Sequence, residues 1–248
     1  MISKPALDIR NIGFSYPDGT EALRDISCRI EAGEAVGIIG CNGAGKSTLL
    51  RHLNGCLSPS QGDVQIGGHP VRRDTLREIR RTVGVVFQNP DDQLFMPTVF
   101  DDVAFGPLNL ELPADEIEER VRTALERVGM SHLSDRPPYK LSGGEKRAVA
   151  IATVLAVSPD VLVLDEPSSN LDPRGRRRLI ELLRGFKQTR IIATHDLELV
   201  VEVCQRVIVL DEGSIVAEGP VAEVLNNEEL MLAHGLERPH ILRHRHPH

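Results

Sequence analysis

The sequence predicts an α/β fold: a mostly parallel sheet with helices on both faces, an N-terminal antiparallel β part and an inserted α-helical subdomain. Three observations predict it. Five short runs rich in Val, Ile and Leu, at residues 35–39, 83–87, 161–164, 191–193 and 207–210, read as buried strands. Most are followed by a turn and a helical pattern, the alternation that builds a parallel sheet covered on both sides. Between residues 99 and 157 the strand pattern stops and helical patterns replace it.

In chain order, residues 7–16 and 22–30 alternate loosely around Pro17-Asp18-Gly19, as an antiparallel hairpin does. The run 35–39 is the first core strand, and a helix over 48–53 follows it. The run 83–87 is the next strand, and helices then take over, among them 114–128, amphipathic and charged along one side. Strands resume with 161–164, 191–193 and 207–210. A short helix over 221–225 follows Gly219, and then a polar tail without a core pattern. The expected division is one domain over 1–225, with its core in 1–88 and 159–225 and the helical subdomain in 89–158, and a His-rich tail over 226–248.

Composition excludes several function classes. Hydrophobic residues make up 41% of 248 residues and charged residues 26%, enough apolar material for a core. A formal net charge of −7 argues against a chain whose main task is gripping nucleic acid. The basic run Arg174, Arg176, Arg177 and Arg178 reads as the solvated face of a helix. Cys28, Cys41, Cys56 and Cys204 form no C-x-x-C pair and read as reduced thiols of a cytosolic protein. No stretch approaches the roughly 20 apolar residues that span a bilayer, so any pore belongs to another chain.

The segment Gly40-Cys41-Asn42-Gly43-Ala44-Gly45-Lys46-Ser47, followed by Thr48, matches G-x-x-x-x-G-K-[ST] between a strand and a helix. Its glycines let consecutive N–H groups and the helix N-terminus face phosphates. Lys46 supplies charge to the β- and γ-phosphates, and Ser47 a hydroxyl ligand to Mg²⁺. The strand 161–164 ends in Asp165 and Glu166, at the sheet end where ligands bind. Asp165 is placed to hold Mg²⁺ through water. Glu166, on the opposite face of the strand, is placed to polarise an attacking water. The strand 191–193 ends in Thr194-His195-Asp196, where Nε2 or Nδ1 of His195 reaches a γ-phosphate and holds water and Glu166 in line.

Leu141-Ser142-Gly143-Gly144-Glu145-Lys146 precedes an apolar helix over 149–156. A capping box accounts for Ser142 and Glu145 but not for two adjacent glycines, which cost a helix about 1 kcal/mol each. Exposed glycine N–H groups at a helix start make a second anion site. One chain does not readily fold both sites onto one nucleotide, whereas two chains packed head to tail do.

With these segments in order, residues 7–225 resemble the nucleotide-binding subunit of the ABC transporters. The resemblance implies a P-loop NTPase core, ATP and Mg²⁺ as cofactors, and a homodimer that closes on ATP. It also implies that Tyr16 stacks on adenine, that Gln88 senses Mg²⁺ and the attacking water, and that Ser142, Gly143 and Gly144 bind the γ-phosphate held by the opposite subunit. Ser169-Asn170-Leu171-Asp172 corresponds to the loop crossing the dimer interface. A narrower likeness, carried by Gln88-Asn89-Pro90-Asp91-Asp92-Gln93-Leu94-Phe95 and Asp101-Asp102-Val103-Ala104-Phe105-Gly106-Pro107, is to the ATPases of energy-coupling-factor importers, the cobalt and nickel ATPases above all. That likeness implies integral membrane partners, a transmembrane coupling protein and a substrate-binding protein, and a place on the cytoplasmic face of the membrane. A vitamin such as biotin is the alternative cargo.

Two other classes fit less well. Soluble ABC ATPases of DNA repair or translation carry a coiled-coil insertion or tandem domains, and a simple P-loop kinase or GTPase leaves Leu141–Gly144 unexplained. The sequence departs from the family at Cys41, where Pro is frequent, and at Ala148, where Arg is usual. In the tail, His244-x-His246-x-His248, with His240 nearby and His234 upstream, places three imidazoles on one side of an extended segment, a spacing suited to Ni²⁺ or Co²⁺.

Overall fold

A computed structural model describes residues 5–243. β1 (Leu7–Ser15) and β2 (Glu21–Ile30) form the expected antiparallel hairpin. β3 (Ala35–Ile39) leads through the glycine-rich turn into α1 (Lys46–Leu53), which begins two residues before the predicted helix. β4 (Gln61–Ile66) and β5 (His69–Pro70) complete a four-stranded sheet in the order β2-β1-β4-β5, and α2 (Leu76–Thr82) runs into β6 (Val83–Val86). The pair β4 and β5 escaped the sequence reading. β4 opens on Gln61-Gly62-Asp63, with Gly62 at φ +82 against the Arg10 and Asn11 carbonyls, so only Val64 and Ile66 carry the apolar alternation.

Three helices follow: α3 (Val99–Asn109), α4 (Ala114–Val128) and α5 (Gly143–Leu155). Residue 114 to 128 is helical as its amphipathic pattern requires. α5 starts six residues earlier than its apolar pattern, because Ser142 caps it and the two glycines form its first turn. Then come β7 (Val161–Asp165), α6 (Pro173–Arg184), β8 (Thr189–Ala193), α7 (Leu197–Val203), β9 (Arg206–Asp211) and β10 (Ser214–Pro220). The second sheet has the order β10-β9-β3-β8-β7-β6, parallel throughout except for β10 at its edge. β10 is half-exposed, and its apolar residues Ile215, Val216 and Ala217 fall in one run with no period-two alternation, which hid it in the sequence.

Period-two alternation places the core on both faces of this sheet. On β7, Val161 and Val163 pack with the β1–β2 sheet and α1, while Leu162 and Leu164 pack with α3, α4, α5 and α6. On β8, Ile191 and Ala193 take the first side and Ile192 the second. The same parity then carries Asp165 toward α1 and the phosphate loop. Among the basic run, Arg174, Arg177 and Arg178 are exposed as predicted, but Arg176 is half-buried and makes a bidentate pair with Asp196 at 2.7 and 2.8 Å.

The tail departs from expectation. α8 (Val221–Asn226) is followed by α9 (Glu228–Ala233) and α10 (His240–Arg243), and Met231, Leu236 and Leu242 are buried with Ile39, Val207 and Val209. A core pattern therefore continues to Leu242. It was hidden because the buried positions are single apolar residues in two short helices. His234 is bonded to Asp211, and His244, His246 and His248 lie outside the described residues. Among the described residues, no group of three His, Cys, Asp or Glu is placed to hold a metal ion, and no helix is long and apolar enough to cross a membrane.

Candidate nucleotide site

The site lies at the C-terminal ends of β3, β7 and β8. Gly40, Gly43 and Gly45 take φ values of +154°, +85° and +101°, a left-handed course that glycine permits at little cost. Two of them are also sterically required: a Cβ on Gly40 would lie 2.2 Å from the Leu210 carbonyl oxygen, and one on Gly45 2.7 Å from that of Ala22. Asn42 and Gly43 are exposed at the tip. Lys46 is 6% exposed, and its Nζ donates to the carbonyls of Gly40 at 2.8 Å and Cys41 at 3.1 Å. The ammonium thus sits inside the loop's curl. Thr48 is buried, and its Oγ1 lies 2.9 Å from the half-buried Tyr16 hydroxyl, whose ring stacks edge-on against Phe14.

Ser47 sits beside Asp165 and favours its charged form. Burial pushes the Asp165 carboxyl above the ordinary carboxylate range, with the neighbouring Glu166 adding to it and Ser47, Lys46 and Arg51 opposing. Its Oδ1 is buried without a hydrogen-bond partner among the described residues. A buried, uncompensated carboxylate oxygen beside a serine hydroxyl is a hard-oxygen donor set suited to Mg²⁺.

Glu166 is 5% exposed and has φ +45°, a left-handed conformation that costs a non-glycine residue about 1–2 kcal/mol. It lies one residue past β7, so the backbone break as well as strand parity turns it away from Asp165. Its Oε2 accepts from Thr194 Oγ1 at 3.0 Å and from the His195 backbone N–H at 3.3 Å, and it lies 2.8 Å from His195 Nδ1. The sequence left the His195 nitrogens open; here Nδ1 faces Glu166, and the ring is largely exposed. The chain brings Glu166 and His195 together, and Thr194 with them, a contact unseen in the sequence because it joins the ends of two separate strands.

Gln88 is exposed beyond β6, and its carbonyl accepts from Arg147 at 2.5 Å, while that of Phe87 accepts at 2.6 Å. Arg147, 3% exposed, stands one place before the position where the family usually has Arg; the sequence showed the residue but not this contact. The visible signal was the last of three consecutive charges, Glu145, Lys146 and Arg147, where the helix turns apolar. Arg147 makes no ion pair among the described residues; it ties α5 to the loop carrying Gln88. Lys146 adds a 2.5 Å contact to Asp91, and Gln93 donates to the Ala150 carbonyl and Thr153 Oγ1, both at 2.8 Å. Asp91 is therefore not a free loop acid.

Ser142 forms a complete capping box with Glu145. Gly143 has nothing within 4 Å of an added Cβ, and Gly144 only Leu171 at 4.0 Å. The chain's own packing does not require either glycine. A cavity of about 770 Å³ opens here, lined by Ser142, Gly143, Gly144, Asn170, Leu171 and Asp172 among others, and by no residue of 40–48. The phosphate loop and the Ser142 helix end thus face different spaces within one chain.

Comparison with known proteins accords with this arrangement. The ABC transporter family model matches residues 23–169. A putative ABC transporter ATP-binding protein of Geobacter sulfurreducens is 62% identical over 96% of each chain. The energy-coupling factor transporter ATP-binding protein EcfA of Methanothermobacter thermautotrophicus is 50% identical over 94% of this chain and 76% of its own. Among solved structures, cbiO1 of Clostridium perfringens, part of the ABC transporter complex cbiONQ, superposes with a TM-score of 0.83 at 41% identity, covering 97% of this chain and 98% of that one. A dimeric ATP-binding cassette in a post-hydrolysis state with ADP and Pi superposes at 0.78 and 28% identity, over 87% and 98%. The chain belongs to the ABC transporter family, as an ATP-binding, ATP-hydrolysing subunit of the energy-coupling-factor type.

Proposed function

We propose that this chain hydrolyses Mg-ATP at two sites shared between two copies of itself and so powers an importer of cobalt or nickel ions. The observation that carries this reading is that one chain holds two phosphate-facing elements that do not meet, the loop around Lys46 and the glycine pair after Ser142. Backbone N–H groups of Gly40, Asn42, Gly43, Gly45 and Thr48 cradle the phosphates, and Lys46 exchanges two carbonyls for phosphate oxygens. Tyr16 stacks on adenine. Ser47, Asp165 and Gln88 hold Mg²⁺, and the metal, when bound, supplies neutralisation of the phosphoryl oxygens. Glu166 takes up the attacking water's proton. His195 holds Glu166 through Nδ1 and presents Nε2 to the γ-phosphate. Ser142, Gly143 and Gly144 close on the γ-phosphate of the opposite copy.

The membrane partners dock on the helical subdomain. Phe95 is 62% exposed and stacks edge-on with Phe105, and Leu108 lies one turn further along α3. This apolar cluster suits a partner's groove better than water. The site of action is the cytoplasmic face of the membrane, held there by those partners. Transition-metal cargo is supported by the likeness to cbiO1 of the cbiONQ complex and by the motif resemblance to cobalt and nickel ATPases.

The test is uptake of radiolabelled Co²⁺, Ni²⁺ and biotin by vesicles carrying the membrane subunits that co-purify with this chain, with and without it. Metal uptake that needs ATP, is absent with Glu166→Gln and falls at least about tenfold with Phe95→Asp, while the isolated Phe95→Asp chain still binds ATP, is expected. Biotin uptake would replace the metal reading with the vitamin one. Absence of any membrane partner in the purified complex would favour a soluble ABC ATPase.

A further inference from the structure

We propose that the turn His234–Gly235, in the C-terminal segment, is a positioning element for the phosphate loop and acts through Cys41 on the seat of Lys46. Three contacts tie the segment to the loop. Cys41 Sγ lies 3.4 Å from the carbonyl oxygens of both His234 and Gly235, close enough for the thiol to donate. His234 Nδ1 lies 2.8 Å from Asp211 Oδ2, at the end of β9. Two residues further on, Gly213 donates its N–H to the Ala44 carbonyl at 3.2 Å, so the Asp211–Gly213 turn bears on the loop from one side and on His234 from the other. Behind both, Met231 and Leu236 pack in one buried cluster with Ile39, the residue immediately before Gly40.

The consequence runs through one residue. The thiol of Cys41 meets the His234–Gly235 turn, and its carbonyl accepts from Lys46 Nζ. A shift of Cys41 moves the carbonyl on which the ammonium rests before nucleotide arrives. Gly235 has φ +67°, and a Cβ there would lie 2.9 Å from Cys41 Sγ. Sulfur and carbon at that separation overlap, so either the loop or the turn yields. The segment therefore sets the shape of the loop that receives phosphate, and it affects nucleotide affinity more than the chemical step, in which it takes no part.

The experiment uses the full chain with its membrane subunits. Gly235→Ala is expected to raise both the Kd for Mg-ATP and the ATP KM about tenfold, with kcat at saturating ATP within about twofold. Cys41→Ala in the same chain removes the sulfur that the new Cβ strikes, and the double variant is expected to bind at least about threefold more tightly than Gly235→Ala alone. Backbone strain at residue 235 would not be relieved by that second change. Gly235→Ala with wild-type Kd, or a double variant no tighter than the single, overturns the proposal. Should Gly235→Ala not fold, His234→Ala keeps the glycine and loses the Asp211 contact; an about threefold weaker Kd is expected, and an unchanged Kd overturns the proposal.

Discussion

Asp165 and Glu166 are adjacent carboxylates with opposite surroundings. Glu166 is held by Thr194 and His195, whereas Asp165 keeps a buried oxygen without a partner among the described residues and a pKa raised first by burial. A raised carboxylate pKa means the folded chain binds more protons than the unfolded one between the ordinary value, 3.8, and the folded value. Stability contributed by this group is thus lost as pH rises through that window. Asp165→Asn is expected to raise the thermal midpoint of the nucleotide-free chain at neutral pH by about 2–4 °C, an advantage that shrinks on acidification as the wild-type carboxyl becomes neutral. The same variant should lose the extra stabilisation that Mg²⁺ adds to ATP, and thermal unfolding with and without Mg²⁺ checks both halves. Lys46, Ser47, Asp165 and Glu166 were legible in the sequence because their chemistry attaches to fixed local spacings at strand ends. The contacts of Thr194, Arg147 and Cys41 were not, since each is defined by a partner more than 25 residues away.

At the scale of elements, α5 and the loop after β6 behave as one piece. Lys146, Arg147, Ala150 and Thr153, spread over two turns of α5, all contact residues 87–93. The helix that begins at Ser142 and the loop carrying Gln88 are thereby joined, and Arg147 lies at the middle of the join. Arg147→Met removes both backbone contacts, and since Phe87 and Gln88 are exposed residues whose carbonyls water can reach, the expected cost is about 0.5–1.5 kcal/mol. The variant is expected to keep its Kd for ATP, because no contact to residues 40–48 is lost, and to drop about tenfold in kcat. Unchanged kcat in a variant with a lowered thermal midpoint would make Arg147 purely structural. Among elements, the buried parallel strands and α4 were legible because burial on both faces, or one continuous stripe, imposes a dense apolar pattern. β4, β10 and α9 were hidden because β4 has only two apolar residues, β10 packs its three in one unalternating run, and α9 buries only Met231 of its four.

For the whole molecule, the central claim is that one chain supplies half of each of two nucleotide sites. The glycine pair after Ser142 needs no room in its own chain, and its cavity excludes the phosphate loop. Helical subdomain and core share a continuous apolar cluster, from Val103 and Leu125 through Ile151 to Leu162 and Leu179, so the proposed closure around nucleotide would move a well-packed body. Sedimentation of the Glu166→Gln chain, expected to bind ATP without turning it over, tests the claim most directly when compared with Glu166→Gln carrying Ser142→Arg. The account predicts a dimer with Mg-ATP, a monomer without it, and a monomer under both conditions once Ser142 is replaced. A Glu166→Gln chain that stays monomeric at saturating Mg-ATP with its membrane subunits present, or a dimer indifferent to Ser142→Arg, would contradict it.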